Sequence, residues 1–481
     1  MSEATKNLLS PKERIVSNRR IMLVGLLVAA LIFVCVQDVL AASTWKGQQV
    51  DAQGSGGSIA FDSEGNPHIA YSYRYMTNDS LVSWYAYGLK YAVWNGNNWN
   101  IQTIDSTGSG GILALDSQDR PHILYAAGYD LKYAISDGNN WNIQTIDSTD
   151  PEIGTIKYSM ALDSNGNPHA VYSTFNYAKN YNNGSYTEDI KYAVFNGVKW
   201  DIQIVDVVNV TIGNLSPSLV LDSNNNPHMI YLETVQYFYK DNSTNVLGRW
   251  ETYNVKYASL NGLSWQIQTV LSNCSGIGNL VVDSKLQPNF CYTHQSFSFV
   301  PKDFGNVNVD ESMNYAYWNG NVWLFREIDS LEGRPYLSLD SSGNPQIYCY
   351  VVNDQNHDES SLMYANWTGL NWDVQNLGTI PKNAQNNNEY IGDIAFGING
   401  SLSLTYYEQT GTFRTAPFYG NLTFASLQTN GISPNSSFSP TLSIVTAFTI
   451  IIIVIALLLF HRIHRKSKLT VLSITQRILI V

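Results

Sequence analysis

The 481-residue sequence predicts an all-β chain: a seven-bladed β-propeller of four-stranded blades, its last blade closed by the N-terminal strand, with one or two transmembrane helices. Three observations predict this. First, a unit reading SIAFDSEGNPHIAYSY, a variable stretch, then LKYAVWNGNNWNIQTID recurs six times in full and once in degenerate form, at a mean spacing of about 56 residues. Second, aromatics make up 12% of the chain and charged residues only 14%, with 34 glycines, a balance that favours short strands and tight turns and excludes a disordered chain. Third, the repeats lie between two apolar runs with basic flanks.

Each repeat divides into four strands, A to D. Strand A is the apolar run ending at an aspartate, as in Ser58–Asp62, and the aspartate recurs as Asp116, Asp163, Asp222, Asp283 and Asp340, with Gly397 in the degenerate seventh copy. A Ser-x-Gly-Asn-Pro turn follows, where Gly65, Gly166 and Gly343 supply the left-handed conformation. Strand B starts at His68 to Tyr71 and strand C is Leu89–Trp94. Asn95-Gly96 reads as a two-residue type I′ turn, repeated at Asp137-Gly138, Asn196-Gly197, Asn261-Gly262 and Asn319-Gly320. Strand D is Trp99–Asp105, with apolar and polar residues alternating.

Strand C carries alanine in all seven copies (Ala92, Ala134, Ala193, Ala258, Ala316, Ala365 and Ala425), which predicts a tight contact between neighbouring blades. Strand D opens on Trp99, Trp141, Trp200, Trp265, Trp323 and Trp372, but the seventh copy stops at Leu427 without one. The missing strand matches the segment Trp45 to Asp51 at the other end of the chain. A blade shared between the two ends closes a ring and leaves no unpaired edge there.

The domain boundaries follow. Residues 1–20 are a basic cytoplasmic segment, 21–41 a signal peptide or signal anchor, 42–430 the extracellular propeller, 431–440 a linker, 441–460 a transmembrane helix and 461–481 a basic cytoplasmic tail. The basic flanks place the chain in the cell membrane, single- or two-pass, with the propeller outside and the C-terminus in the cytoplasm. The formal net charge is −11, and the basic residues gather at the ends, which leaves the repeats near −18. Nucleic acid is thereby excluded as a partner, since phosphate binding needs a basic face. Three cysteines in the repeats, Cys274, Cys291 and Cys349, allow one disulfide at most, so no disulfide framework holds the fold. Of ten Asn-x-Ser/Thr sites, Asn78, Asn183, Asn209, Asn242, Asn366 and Asn421 are the candidates for N-glycosylation.

Motifs with possible chemistry have plainer readings. Asp163-Ser164-Asn165-Gly166-Asn167 and Asp222-Ser223-Asn224-Asn225-Asn226 space oxygens like the start of a calcium loop, but no bidentate acid follows, and the spacing reads as an Asx-type turn. His68, His122, His169 and His228 share one repeat position, where Asn289, Gln346 and Ser403 replace them, which points to a hydrogen bond at the turn rather than to a metal. The six arginines between the apolar runs fall at unrelated repeat positions and no catalytic motif accompanies them. No catalytic residue, metal or cofactor is assigned, and the chain reads as a non-enzyme.

The Leu-Asp-Ser-x-Gly-Asn-Pro-His, Leu-Lys-Tyr-Ala and Asn-Gly-x-x-Trp elements resemble the repeats of uncharacterised bacterial and archaeal surface β-propellers, which are distantly sialidase-like. The resemblance covers residues 45 to 427 and implies the fold. The Asp-to-Gly spacing, as in Asp62-Ser63-Glu64-Gly65, is one longer than in the sialidase Asp-box, and the tryptophan sits in another strand.

Recognition is expected where the repeats vary. The A–B and C–D turns are short and uniform, whereas the B–C and D–A connections differ in length and share the opposite face. The variable segments hold Tyr75, Trp84, Tyr85, Tyr177, Tyr186, Tyr237, Tyr239, Trp250 and Tyr253, accompanied by acids that include Glu188 and Glu233. Aromatic faces beside carboxylates and amides suit a sugar or a peptide. The expected function is cell-surface binding of an extracellular glycan or protein. A glycan-processing enzyme (sialidase-like glycosidase or lyase) and a passive surface coat are the alternatives.

Overall fold

A computed structural model describes residues 44–79, 82–148, 157–176, 186–210, 217–240, 247–299, 307–328, 331, 333–352, 360–379, 389–397, 402–409 and 420–428. The apolar runs at 21–41 and 441–460 lie outside these, as does the whole C-terminal unit from Ile432. Among the described residues no helix is long and apolar enough to cross a membrane.

Every described element is a strand, and all pairings are antiparallel within four-stranded units, the arrangement of a propeller. Three units stand as separate four-stranded sheets, and the others join into two seven-stranded sheets through single long strands. Thr44–Phe61 is strand D of the seventh copy and continues, through bulges at Gln49–Asp51, Asp51–Gly54 and Ser55–Ser58, into strand A of the first. Ser264–Val282 joins copies four and five in the same way. The N-terminal segment does supply the missing strand. Trp45 lies opposite Leu427, as Trp99 lies opposite Trp94 within the first copy.

The core is a series of clusters between neighbouring units rather than one mass. The seven strand-C alanines are all fully buried, so each unit presents a small residue where its neighbour packs. A strand-C aromatic then meets the strand-D tryptophan of the next unit edge-on. The pairs are Tyr91–Trp141, Tyr133–Trp200, Tyr192–Trp265, Tyr257–Trp323 and Tyr315–Trp372, with Phe424–Trp99 joining the seventh copy to the first. Trp141 and Trp200 also donate to Gln102 and Gln144 of the preceding unit at 2.9 and 3.0 Å.

The A–B turns use left-handed residues as expected at Gly65, Gly166 and Gly343, and Asp119, Asn225 and Leu286 take the same conformation in other copies. The C–D turns differ from expectation. A type I′ turn needs positive φ at both central residues, yet only the glycine has it. Asn95 instead opens a four-residue loop in which its side chain accepts from the Asn97 and Asn98 N–H groups, so the asparagine acts as an Asx acceptor.

Candidate functional site

The repeat places two polar devices in copies one to four. At the A–B turn the aspartate carboxylate is occupied by its own loop. Asp163 accepts from the Asn165 and Asn167 N–H groups and from the Asn167 amide, at 2.7 to 2.9 Å. In copies one, two and four the histidine behind the aspartate is bonded on both nitrogens, while in copy three His169 Nε2 stands 4.0 Å from Asp163. His122 Nε2 lies 3.3 Å from Asp116, and the Tyr133 hydroxyl meets Nδ1 at 2.6 Å. Burial, opposed by Asp116, holds this imidazole below its ordinary value and therefore neutral. In the fifth copy Asn289 takes the same hydrogen bond from Tyr315.

The second device spans units at the other end of the strands. The aspartate closing strand D accepts from a tyrosine and a lysine of the next copy. Tyr71 and Lys90 reach Asp51 at 2.8 and 2.7 Å, Tyr125 and Lys132 reach Asp105 at 3.0 and 3.2 Å, and Tyr172 and Lys191 reach Asp147 at 2.8 Å each. Burial and the adjacent carboxylate raise the Tyr71 hydroxyl, which stays protonated and serves as a clamp rather than a base. In copies five to seven Asn314, Met363 and Thr423 replace the lysine.

Copies three and four add acids to this frame. In copy four Lys256 lies 3.8 Å from Asp206 and 3.6 Å from Glu233, and the Asn254 amide donates to Glu233 at 3.0 Å. In copy three Glu188 is 3% exposed, near the loop end of strand C. Burial pushes its carboxyl up to about 7, partly opposed by a hydrogen bond with Ser173. Opposite it stands Val208, which shares a core cluster with Leu232 and Val255 of copy four. A buried carboxyl pushed toward neutrality is a pattern suited to proton transfer.

Of the expected aromatics, Tyr75 is half-buried, stacks on Tyr73 at 5.5 Å and donates to the Ser106 carbonyl at 3.1 Å. Tyr253 is half-buried, opposite Thr234 and Cys274. For others only the backbone is described. Trp84 and Tyr85 face Thr77 and Met76, Tyr186 faces Val210, Tyr239 faces Gly248, and Tyr237 is directly opposite Trp250 on one ribbon. Tyr177 lies outside the described residues, as do Asn183 and Asn242. The backbones of Asn78 and Asn209 are in strands, while Asn366 and Asn421 are half-buried within theirs. Glu188 was legible as more than a loop acid. Strand periodicity puts it on the face of Ile190 and Tyr192, both buried.

A cavity of about 240 Å³ lies elsewhere. Its lining includes Gly65 of an A–B turn together with Trp94 and Trp99 at the base of a C–D hairpin, so it belongs to the short-turn end.

No family model matches the chain, and no curated protein does. Solved structures similar to it include an ulvan lyase (12% identity, 76% of this chain and 94% of that one, TM-score 0.49) and a second polysaccharide lyase (10%, 78% and 90%, 0.46). A Trypanosoma rangeli sialidase is also similar (9%, 81% and 57%, 0.36). These neighbours overturn the expectation that the chain is not an enzyme, and that expectation is withdrawn. At such identities they assign no activity, which rests on the chain's own residues.

Proposed function

We propose that this protein is a membrane-anchored, extracellular seven-bladed β-propeller that processes a glycan at its loop-rich face. The observation that carries the reading is Glu188, a buried carboxyl near neutrality toward the loop end of its strand. Asp206, which with Lys256 and Glu233 forms an acid–lysine network, stands opposite Ile190 on the same strand pair. Such a carboxyl can both hold and release a proton at neutral pH, as either glycosidic hydrolysis or elimination requires. Lys256 supplies a cation for an acidic sugar, Tyr75 and Tyr253 supply stacking surfaces, and Tyr237 and Trp250 remain candidate contacts from the sequence. Trp84, Tyr85, Tyr177, Tyr186 and Tyr239 of the variable segments are kept as candidate sugar contacts.

The test is turnover by the full chain of a panel of neutral and uronate-containing polysaccharides. Reducing ends report hydrolysis, and the ultraviolet absorbance of an unsaturated uronate reports elimination. Glu188→Gln is expected to lower turnover by about 10²-fold or more while the protein stays folded. Turnover that survives this substitution, or a panel without turnover, would overturn the proposal.

A further inference from the structure

The short-turn end carries an asymmetry that neither packing nor the proposed chemistry uses. The tips of the C–D hairpins in copies one and two are Asn97-Asn98 and Asn139-Asn140. In copies three to six the tips carry Val198, Leu263, Val322 and Leu370, with exposures of 89%, 101%, 53% and 91%. These copies are consecutive neighbours, joined by the Tyr192–Trp265, Tyr257–Trp323 and Tyr315–Trp372 contacts. Four apolar side chains therefore form an arc standing out into solvent on one end of the fold, a feature that marks an interaction surface.

The chain's own ends indicate the occupant. In copy seven the position of the C–D hairpin is open, because strand C ends there at Gln428 and strand D begins at Thr44, directly opposite. Both flanking segments thus depart where the other copies carry their tips. In sequence, two residues separate Thr44 from the segment 21–41, and twelve separate Gln428 from the apolar run 441–460. The loops with Glu188 lie at the far end of the strands. We infer that the apolar tips of copies three to six rest in the outer leaflet of a lipid bilayer, so that the short-turn end faces the membrane and the loop-rich face points away. This rests on the anchoring part of the proposed function. Isolated aliphatic tips on rigid hairpins suit an interfacial contact, and the polar tips of copies one and two tilt the contact toward one side.

The test uses the full chain in phosphatidylcholine vesicles, with an environment-sensitive fluorophore on single introduced thiols and spin-labelled lipid as quencher. The sites are Leu263→Cys and Leu370→Cys on the arc, Asn97→Cys on a polar tip and Tyr129→Cys at the loop-rich end. Quenching about threefold greater at 263 and 370 than at 97 and 129 is expected, as for side chains seated at the headgroup boundary. Equal quenching at all four sites, with the protein floating with the vesicles, would overturn the inference and leave anchoring intact. Failure to float would overturn both. A blue-shifted but unquenched label at 263, with doubled particle mass, would assign the arc to a second copy and overturn the bilayer assignment.

Discussion

Asp393 Oδ2 accepts hydrogen bonds from the Ile59 N–H and the Ser58 hydroxyl, each at 3.1 Å, across more than 330 residues of chain. It is the last link of a series between strands A. Leu219 N–H donates to Ser159 Oγ at 3.1 Å, Leu280 N–H to Ser218 Oγ at 2.9 Å, and Leu337 N–H to Asn279 Oδ1 at 2.7 Å. Each time the acceptor belongs to one copy and the donor to the next. Among these four links between described residues, the one joining copies seven and one has a carboxylate as its acceptor.

That carboxylate carries a cost the hydroxyls and the amide avoid. Burial pushes Asp393 up to about 6 from an ordinary 3.8, although the Ile59, Ile394 and Ser58 bonds oppose the shift. A raised carboxyl binds its proton more tightly in the folded state, so its contribution is favourable at low pH and is lost between about pH 4 and 6. Asp393→Asn should therefore stabilise the protein at pH 7 by on the order of 1–2 kcal/mol and make no gain at pH 4. Chemical denaturation of both proteins at the two pH values checks this, and equal gains at both would refute it.

The clamps have the opposite sign. Burial alone would raise Asp105, but its bonds from Thr107, Tyr125 and Lys132 outweigh that and hold it below the ordinary value. Its contribution is present above pH 4 and fades as pH falls through the lowered value. Asp105→Asn should cost about 1–3 kcal/mol at pH 7, since Tyr125 is fully buried and would keep a weakened partner. The deficit should shrink in acid, which a pH series of unfolding midpoints would reveal.

The fold was legible because the repeat fixes pairing and register together. The displaced Trp45 strand needed only the matching of Gln-Val-Asp to Thr-Ile-Asp, and the seven alanines announced the inter-unit contact. Turn chemistry was legible by position but not by type, since Asn-Gly serves equally as a type I′ pair or as an Asx acceptor before a left-handed glycine. The clamps were not legible at all. Asp105, Tyr125 and Lys132 lie in different strands of two copies, and only the packing of one unit on the next brings them together. The site suffered most, because aromatic content drew attention to the loops, whereas Glu188 is set apart by its burial.

The alanine positions give a steric prediction. Ala193 is fully buried, in contact with the cluster of Tyr172 and Met160. Ala193→Leu adds volume where no space exists and should cost about 1–3 kcal/mol or more, since a strand interior relaxes little. An exposed strand position such as Ile143 should accept a similar change of size nearly silently. Denaturant midpoints of the two variants compare them directly, and equal losses would argue against a close-packed seam between copies.

Glu188 separates a functional acid from a structural one. Its carboxyl rises to about 7 through burial, so in the folded protein it is half-protonated at neutral pH and increasingly strained as an anion above it. By linkage its contribution is lost as pH rises from about 4.5 to 7. Glu188→Gln keeps the shape and the partner for Ser173 without the charge, so it should unfold at higher temperature than the parent at pH 8 and match it at pH 4. If Glu188 transfers a proton to or from a sugar, the same substitution lowers turnover by about 10²-fold or more while raising stability. The parent's rate should then show one limb titrating near pH 7 that the variant's residual rate lacks. A purely structural acid would raise stability in the same way yet leave rate and pH profile untouched. The pair of measurements, melting temperature and pH–rate profile, thus decides the role of this residue even before the glycan is identified.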